Sequence, residues 1–162
     1  MQKTIYSPAI RIVRLESFRA VTSGADDISH LMEGFNAWQE AHMHLIRPML
    51  YGAPDFLFSR GEKMEWIWAV KEGVTEADVQ PYRITEHPGG LYACVVTVDG
   101  DDEKMSQSYG DILQWLENSG FAADESAERP TLCHMLHPDK DIRAGLGYDQ
   151  MEIFVPIRLK AD

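Results

Sequence analysis

Lys-Met-Glu-Trp-Ile-Trp-Ala-Val-Lys, residues 63–71, and Gln-Met-Glu-Ile-Phe-Val-Pro-Ile-Arg, residues 150–158, are two versions of one string. Each begins with Met-Glu after a polar residue, runs on through bulky apolar side chains and closes on a basic one. A strand sorts its side chains with a period of two. Met64, Trp66, Trp68 and Val70 therefore share one face, and Met151, Ile153, Val155 and Ile157 share its counterpart. The opposite faces carry Glu65, Ile67 and Ala69 in the first copy, and Glu152, Phe154 and Pro156 in the second. The fully apolar faces are expected to meet helices, and the faces with one carboxylate each to look into a shared groove.

Working outward, Phe18-Arg19-Ala20-Val21 matches Leu91-Tyr92-Ala93-Cys94, inside extended stretches read at 10–22 and 90–98. Apolar positions 28, 31, 32, 35, 38 and 45, with His42 between them, give one helical face, started by Asp26 or Asp27 and stopped by Pro48. Positions 105, 109, 112, 113 and 116 give a second, following Asp101-Asp102 and ending at Gly120. Trp38 and Trp115 hold similar places in the two helices. Residues 55–59 and 64–71 form a hairpin around Arg60-Gly61-Glu62, while 82–86, 131–137 and 150–159 supply further strands. The predicted fold is α+β: two tandem β-α-β-β units related by a pseudo-two-fold axis. Their antiparallel sheet has its helices on one face and a ligand groove on the other. One domain is expected over 1–162, with unit one at about 8–72 and unit two at about 80–160.

The chain has 162 residues, 44% of them apolar, and 26 Asp+Glu against 15 Lys+Arg give a net charge of −11. It can bury a core of its own. The acidic surface and the absence of any Lys/Arg run disfavour direct contact with nucleic acid or an anionic membrane. No apolar run approaches the roughly 18 residues of a membrane span, and the first residues lack a secretory signal pattern. Cys94 and Cys133 stand apart from any metal spacing and are expected as free thiols, so the cytoplasm is the expected location.

A glutamate within a strand of Met, Ile, Phe and Val is unusual, because burying its charge is costly unless something positive arrives. At these residues the sequence resembles a known family. Glu86-His-Pro-Gly-Gly-Leu-Tyr-Ala93, the helix end Gln-Trp-Leu-Glu-Asn-Ser-Gly120 and Met-Glu-Ile-Phe-Val-Pro-Ile157 are similar to the GyrI-like small-molecule-binding proteins. That family includes stand-alone members and effector-binding domains of AraC-type and MerR-type transcription regulators. The resemblance covers nearly the whole chain. It implies binding of hydrophobic molecules, cationic ones favoured, for sensing or for drug and toxin sequestration. It puts ligand recognition on Glu152, four residues before the proline of the last strand. Glu65, Tyr92, Phe154 and Tyr148 are the further candidate ligand-binding residues. Trp66 and Trp68 are included too, although parity places them on the helix side; core packing is the alternative for every aromatic. A Glu-x-Tyr that many members carry in the third strand of the second unit is missing, and Cys133 or His134 stands in its place.

No cofactor and no metal site is expected. His42 and His44 are two apart on a helix, and His134 and His137 three apart on a strand, so neither pair converges. No nucleophile motif, P-loop or dinucleotide fingerprint is present. Two alternatives stay open: a hydrolase of electrophilic xenobiotics using Glu152, with a pKa raised by its apolar surroundings, as acid or base; and an acidic module that inhibits a protein partner. Both helices back the sheet, so a DNA reader would have to sit on another domain or chain.

Overall fold

A computed structural model describes residues 9–136 and 139–161; residues 1–8, where the leader reading and the start of unit one fall, and His137 lie outside them. Among the described residues, nine strands form one antiparallel sheet. They are β1 (Arg11–Leu15), β2 (Phe18–Thr22), β3 (Asp55–Arg60), β4 (Lys63–Ala69), β5 (Arg83–His87), β6 (Gly90–Val98), β7 (Phe121–Ala123), β8 (Leu132–Met135) and β9 (Gln150–Leu159). The order is β1-β6-β9-β8-β3-β4-β2-β5, with β7 on β9.

The expected single strand over 10–22 is two. β1 pairs with β6 and β2 with β5 in one continuous register, from Arg11 opposite Cys94 to Thr22 opposite Arg83. Two long arms thus run past each other where the units meet, and the sheet curls. Both arms break at the same level, at 16–17 and 88–89. Gly89 explains the break: at φ +70° a Cβ there would stand 2.4 Å from the Leu15 carbonyl oxygen, so the arms touch backbone to backbone.

The pairing also corrects the match between the first strands. With Met64-Glu65 laid over Met151-Glu152, Ala69 falls on Pro156, and their partners are Ala20 and Tyr92. Ala20 therefore corresponds to Tyr92, one residue away from the sequence match to Ala93. A slip of one residue reverses the face: Ala20 packs on the concave side with Phe56 and Phe154, whereas Ala93 packs under a helix with Ile112 and Val155.

The first helix begins at α1 (Ile28–His30), passes through a π-helical turn at Leu31–Phe35 and continues as α2 (Asn36–Ala41). Leu31 and Phe35 project inward onto Val21, Trp66 and Trp68. Asp27 holds the N-cap position without a capping bond, its carboxylate gripping Lys63 instead at 2.7 Å. The second helix, α3 (Asp102–Asn118), is capped by Asp101 and lays Ile112 and Leu116 on Ile153, Val155 and Ile157. Strand β7 and a short helix α4 (Lys140–Leu146) were not anticipated from the sequence. No helix among the described residues is long and apolar enough to cross a membrane.

Candidate functional site

The concave face is floored by alternate residues of six strands. Phe56, Phe58, Ile67, Tyr92, Leu132 and Phe154 form its buried apolar layer, with Phe18 partly buried above. Phe18 lines both of two clefts and so divides the groove. One cleft, of about 610 Å³, holds Phe58, Glu65 and Ile67 with His87. The other, of about 370 Å³, holds Arg11, Phe56, His134 and Phe154. Glu65 and Glu152 thus lie on the same face of the sheet but keep separate company.

Each carboxylate has an arginine. Arg11 Nη2 donates to both oxygens of Glu152 at 2.8 Å, and His134 Nδ1 lies 3.3 Å from Oε2. The other ring nitrogen, Nε2, is 2.6 Å from the Ala53 carbonyl. An imidazole between two acceptors satisfies both only as the imidazolium. Burial opposes that charge, but the bonds to Glu152 and Ala53 outweigh it and the His134 pKa rises. Burial likewise pushes Glu152 upward, yet His134 and Arg11 prevail and hold it below the ordinary glutamate value. The direction is opposite to the raised pKa expected for Glu152 as an acid or base.

Glu65 accepts the Thr22 hydroxyl at 2.7 Å and Arg60 Nε at 2.8 Å. The Arg60 guanidinium carbon sits 4.8 Å over the Phe58 ring centroid, and Nη1 donates to the Ala127 carbonyl. The cage thus surrounds a cation with a carboxylate, an aromatic face and a carbonyl. Its occupant is a side chain of the protein itself.

The remaining candidates fall as follows. Phe154 lines the second cleft. Tyr92 is fully buried beneath the groove. His87 Nδ1 accepts the Gly89 N–H at 3.0 Å, leaving Nε2–H to donate to the Tyr92 oxygen at 3.2 Å. Burial, then Arg129, bring His87 down to about 4. Tyr148 is exposed between α4 and β9 and lines neither cleft. Trp66 and Trp68 lie on the helix side, as their parity indicated, with the Trp66 indole donating to Asp55 at 2.8 Å. His134 rather than Cys133 reaches the floor. Burial lifts the Cys94 and Cys133 thiols to about 12 and 11, a direction opposite to that of a nucleophile.

Sequence reasoning missed Arg60, Arg11 and His87 as parts of this face. It also missed Asp26, Asp27 and His30, whose ligand atoms lie within 4.8 Å of one another. Asp26 is half-buried and the other two are exposed, and both carboxylates are already satisfied, Asp26 by His30 and Asp27 by Lys63.

No protein-family model matches the chain, and no curated protein matches it in sequence. In fold it is similar to SAV2435 bound to tetraphenylphosphonium, at 15% identity over 92% of this chain and 93% of that one, TM-score 0.55. It is similar to a hydrolase from Listeria innocua, at 15% identity over 94% of both chains, TM-score 0.62. The EcmrR C-terminal domain gives 14% identity over 93% of this chain and 98% of that one, TM-score 0.62. At such identities the likeness is one of fold.

Proposed function

We propose that this chain is a GyrI-like small-molecule-binding domain. It takes up hydrophobic organic molecules in its concave groove, cations at the Glu65 cage, for sensing or sequestration in the cytoplasm. The observation that carries this reading is the Arg60 guanidinium, held by Glu65 and Phe58 as a ligand cation would be held. The tetraphenylphosphonium bound by a fold neighbour supports it, as does a second neighbour that is the C-terminal domain of EcmrR. Phe154 belongs to the groove, with Glu152 as the anchor of Arg11; Tyr92 supports the floor from below. If the domain serves transcription, its DNA reader is on another domain or chain.

Calorimetric titration with tetraphenylphosphonium and uncharged triphenylphosphine oxide tests the proposal. The cation should bind about tenfold more tightly, about 1.4 kcal/mol, and Glu65→Gln should erase most of that preference while Glu152→Gln changes it little. Equal affinity for the two compounds in the wild type would sink the cationic reading, and binding of neither would favour a protein partner instead. Recovery of a chemically altered ligand by mass spectrometry would identify a hydrolase.

A further inference from the structure

The two halves of the groove differ in charge. The chain as a whole carries −11, yet Arg11, Arg14 and Arg47 all line the smaller cleft, and His134 stands at its floor. The opposing charges are Glu16 in the lining and Glu152 beneath. Arg14 and Arg47 are exposed and have no ion-pair partner among the described residues. Arg11 serves both Glu152 oxygens through one nitrogen, and its side chain is still 50% exposed. With Glu152 satisfied by Arg11 and His134, only Glu16 opposes the other two arginines, and the mouth keeps a net positive charge.

The walls are apolar. Phe56 and Phe154 form the floor beside His134, in aromatic contact with it at 5.6 and 6.0 Å between ring centroids. Pro48, Met49 and Tyr51 stand at the rim; Met49 is 48% and Tyr51 68% exposed, and Leu50 between them is fully exposed. Such mobile or amphipathic apolar groups accept a ligand body without a fixed shape. A volume of about 370 Å³ lies within the range of small-molecule sites.

We propose that this cleft binds an apolar organic anion, with Arg47 and Arg14 meeting its acidic head and Phe56, Phe154 and Met49 its body. The inference rests on the groove being a ligand site, but it assigns this half the charge preference opposite to that of the Glu65 cage. Arginine suits the role because its planar fork binds carboxylate and sulfonate oxygens two at a time.

The test uses anilinonaphthalene sulfonate and its uncharged analogue phenylnaphthylamine, titrated by their fluorescence on the whole chain. The sulfonate should bind at least about tenfold more tightly than the uncharged probe. Arg14→Gln with Arg47→Gln should cut that ratio to about threefold or less. Both side chains are exposed and unpaired, so the fold should be retained, which circular dichroism checks. Arg47→Lys alone should keep most of the ratio.

A wild-type ratio near one, or a ratio unmoved by the double substitution, overturns the anion site. If phenylnaphthylamine and tetraphenylphosphonium still bind in that case, the groove reading survives and this inference alone fails. If none of the three compounds binds, both fail together.

Discussion

Asp55→Asn is expected to convert a nearly level stability profile between pH 4 and 6.5 into one that climbs with pH. Asp55 is fully buried on β3. Its Oδ2 takes the Trp66 indole N–H, and its Oδ1 has no hydrogen-bond partner among the described residues. Burial pushes this carboxyl up to about 7, against the opposing pull of Trp66 and His134. The folded chain therefore keeps a proton that the unfolded chain releases near pH 4. Stability falls as pH rises through that interval. The rise from 3.8 to about 7 corresponds to about 4 kcal/mol.

His87 runs the other way. Burial, then Arg129, bring it down to about 4, so the stability of its neutral form is present above about 6.5 and lost as pH falls. In the wild type the two slopes oppose each other. Asparagine keeps a carbonyl for the Trp66 N–H and abolishes the Asp55 titration, leaving His87 to set the slope. The variant should exceed the wild type by about 4 kcal/mol at most at pH 7.5. Urea denaturation at pH 4, 5.5 and 7.5 measures this, and parallel profiles for the two proteins would contradict the assignment.

What could be read from the sequence follows from the range of each interaction. β4 and β9 were legible because alternation is local: one apolar face and one carboxylate-bearing face are visible within nine residues. The first helix and α3 were legible for the same reason, whereas the short α4 was not. The division of 10–22 was not, because its cause is the approach of Gly89 to the Leu15 carbonyl, a contact between distant segments. Glu65 and Glu152 announced themselves as carboxylates in apolar strands, but their partners did not. Arg11 meets Glu152 across 141 positions of sequence, and no periodicity reports such a pairing. Arg60 is only five residues from Glu65 and reads in the sequence as part of a turn, although the hairpin register that sets Phe58 opposite Glu65 brings it close. The net charge of −11 speaks against anionic partners for the chain as a whole. The arginines of the smaller cleft show how little a total says about one surface.

Arg60→Ala should tighten tetraphenylphosphonium binding. A ligand cation can reach the Glu65 carboxylate only by displacing the guanidinium that now occupies its place. Displacement gives up a hydrogen-bonded ion pair at 2.8 Å, a ring contact at 4.8 Å and a bond to the Ala127 carbonyl. Arg60 is 35% exposed, which screens the pair and limits its worth to under about 1 kcal/mol. The ring contact and the carbonyl bond bring the sum to about 2 kcal/mol. Removing that competition should therefore raise the apparent affinity about thirtyfold. The uncharged triphenylphosphine oxide gains no ion pair and should change little. In the Arg60→Ala background, Glu65→Gln should lose the whole gain, because the freed carboxylate is what the ligand acquires. A variant that binds the cation no more tightly than wild type would place the ligand away from this cage. The same exchange runs in reverse: a cation bound at Glu65 must release Arg60 from Ala127, so amide exchange over Ala127–Arg129 should quicken on binding.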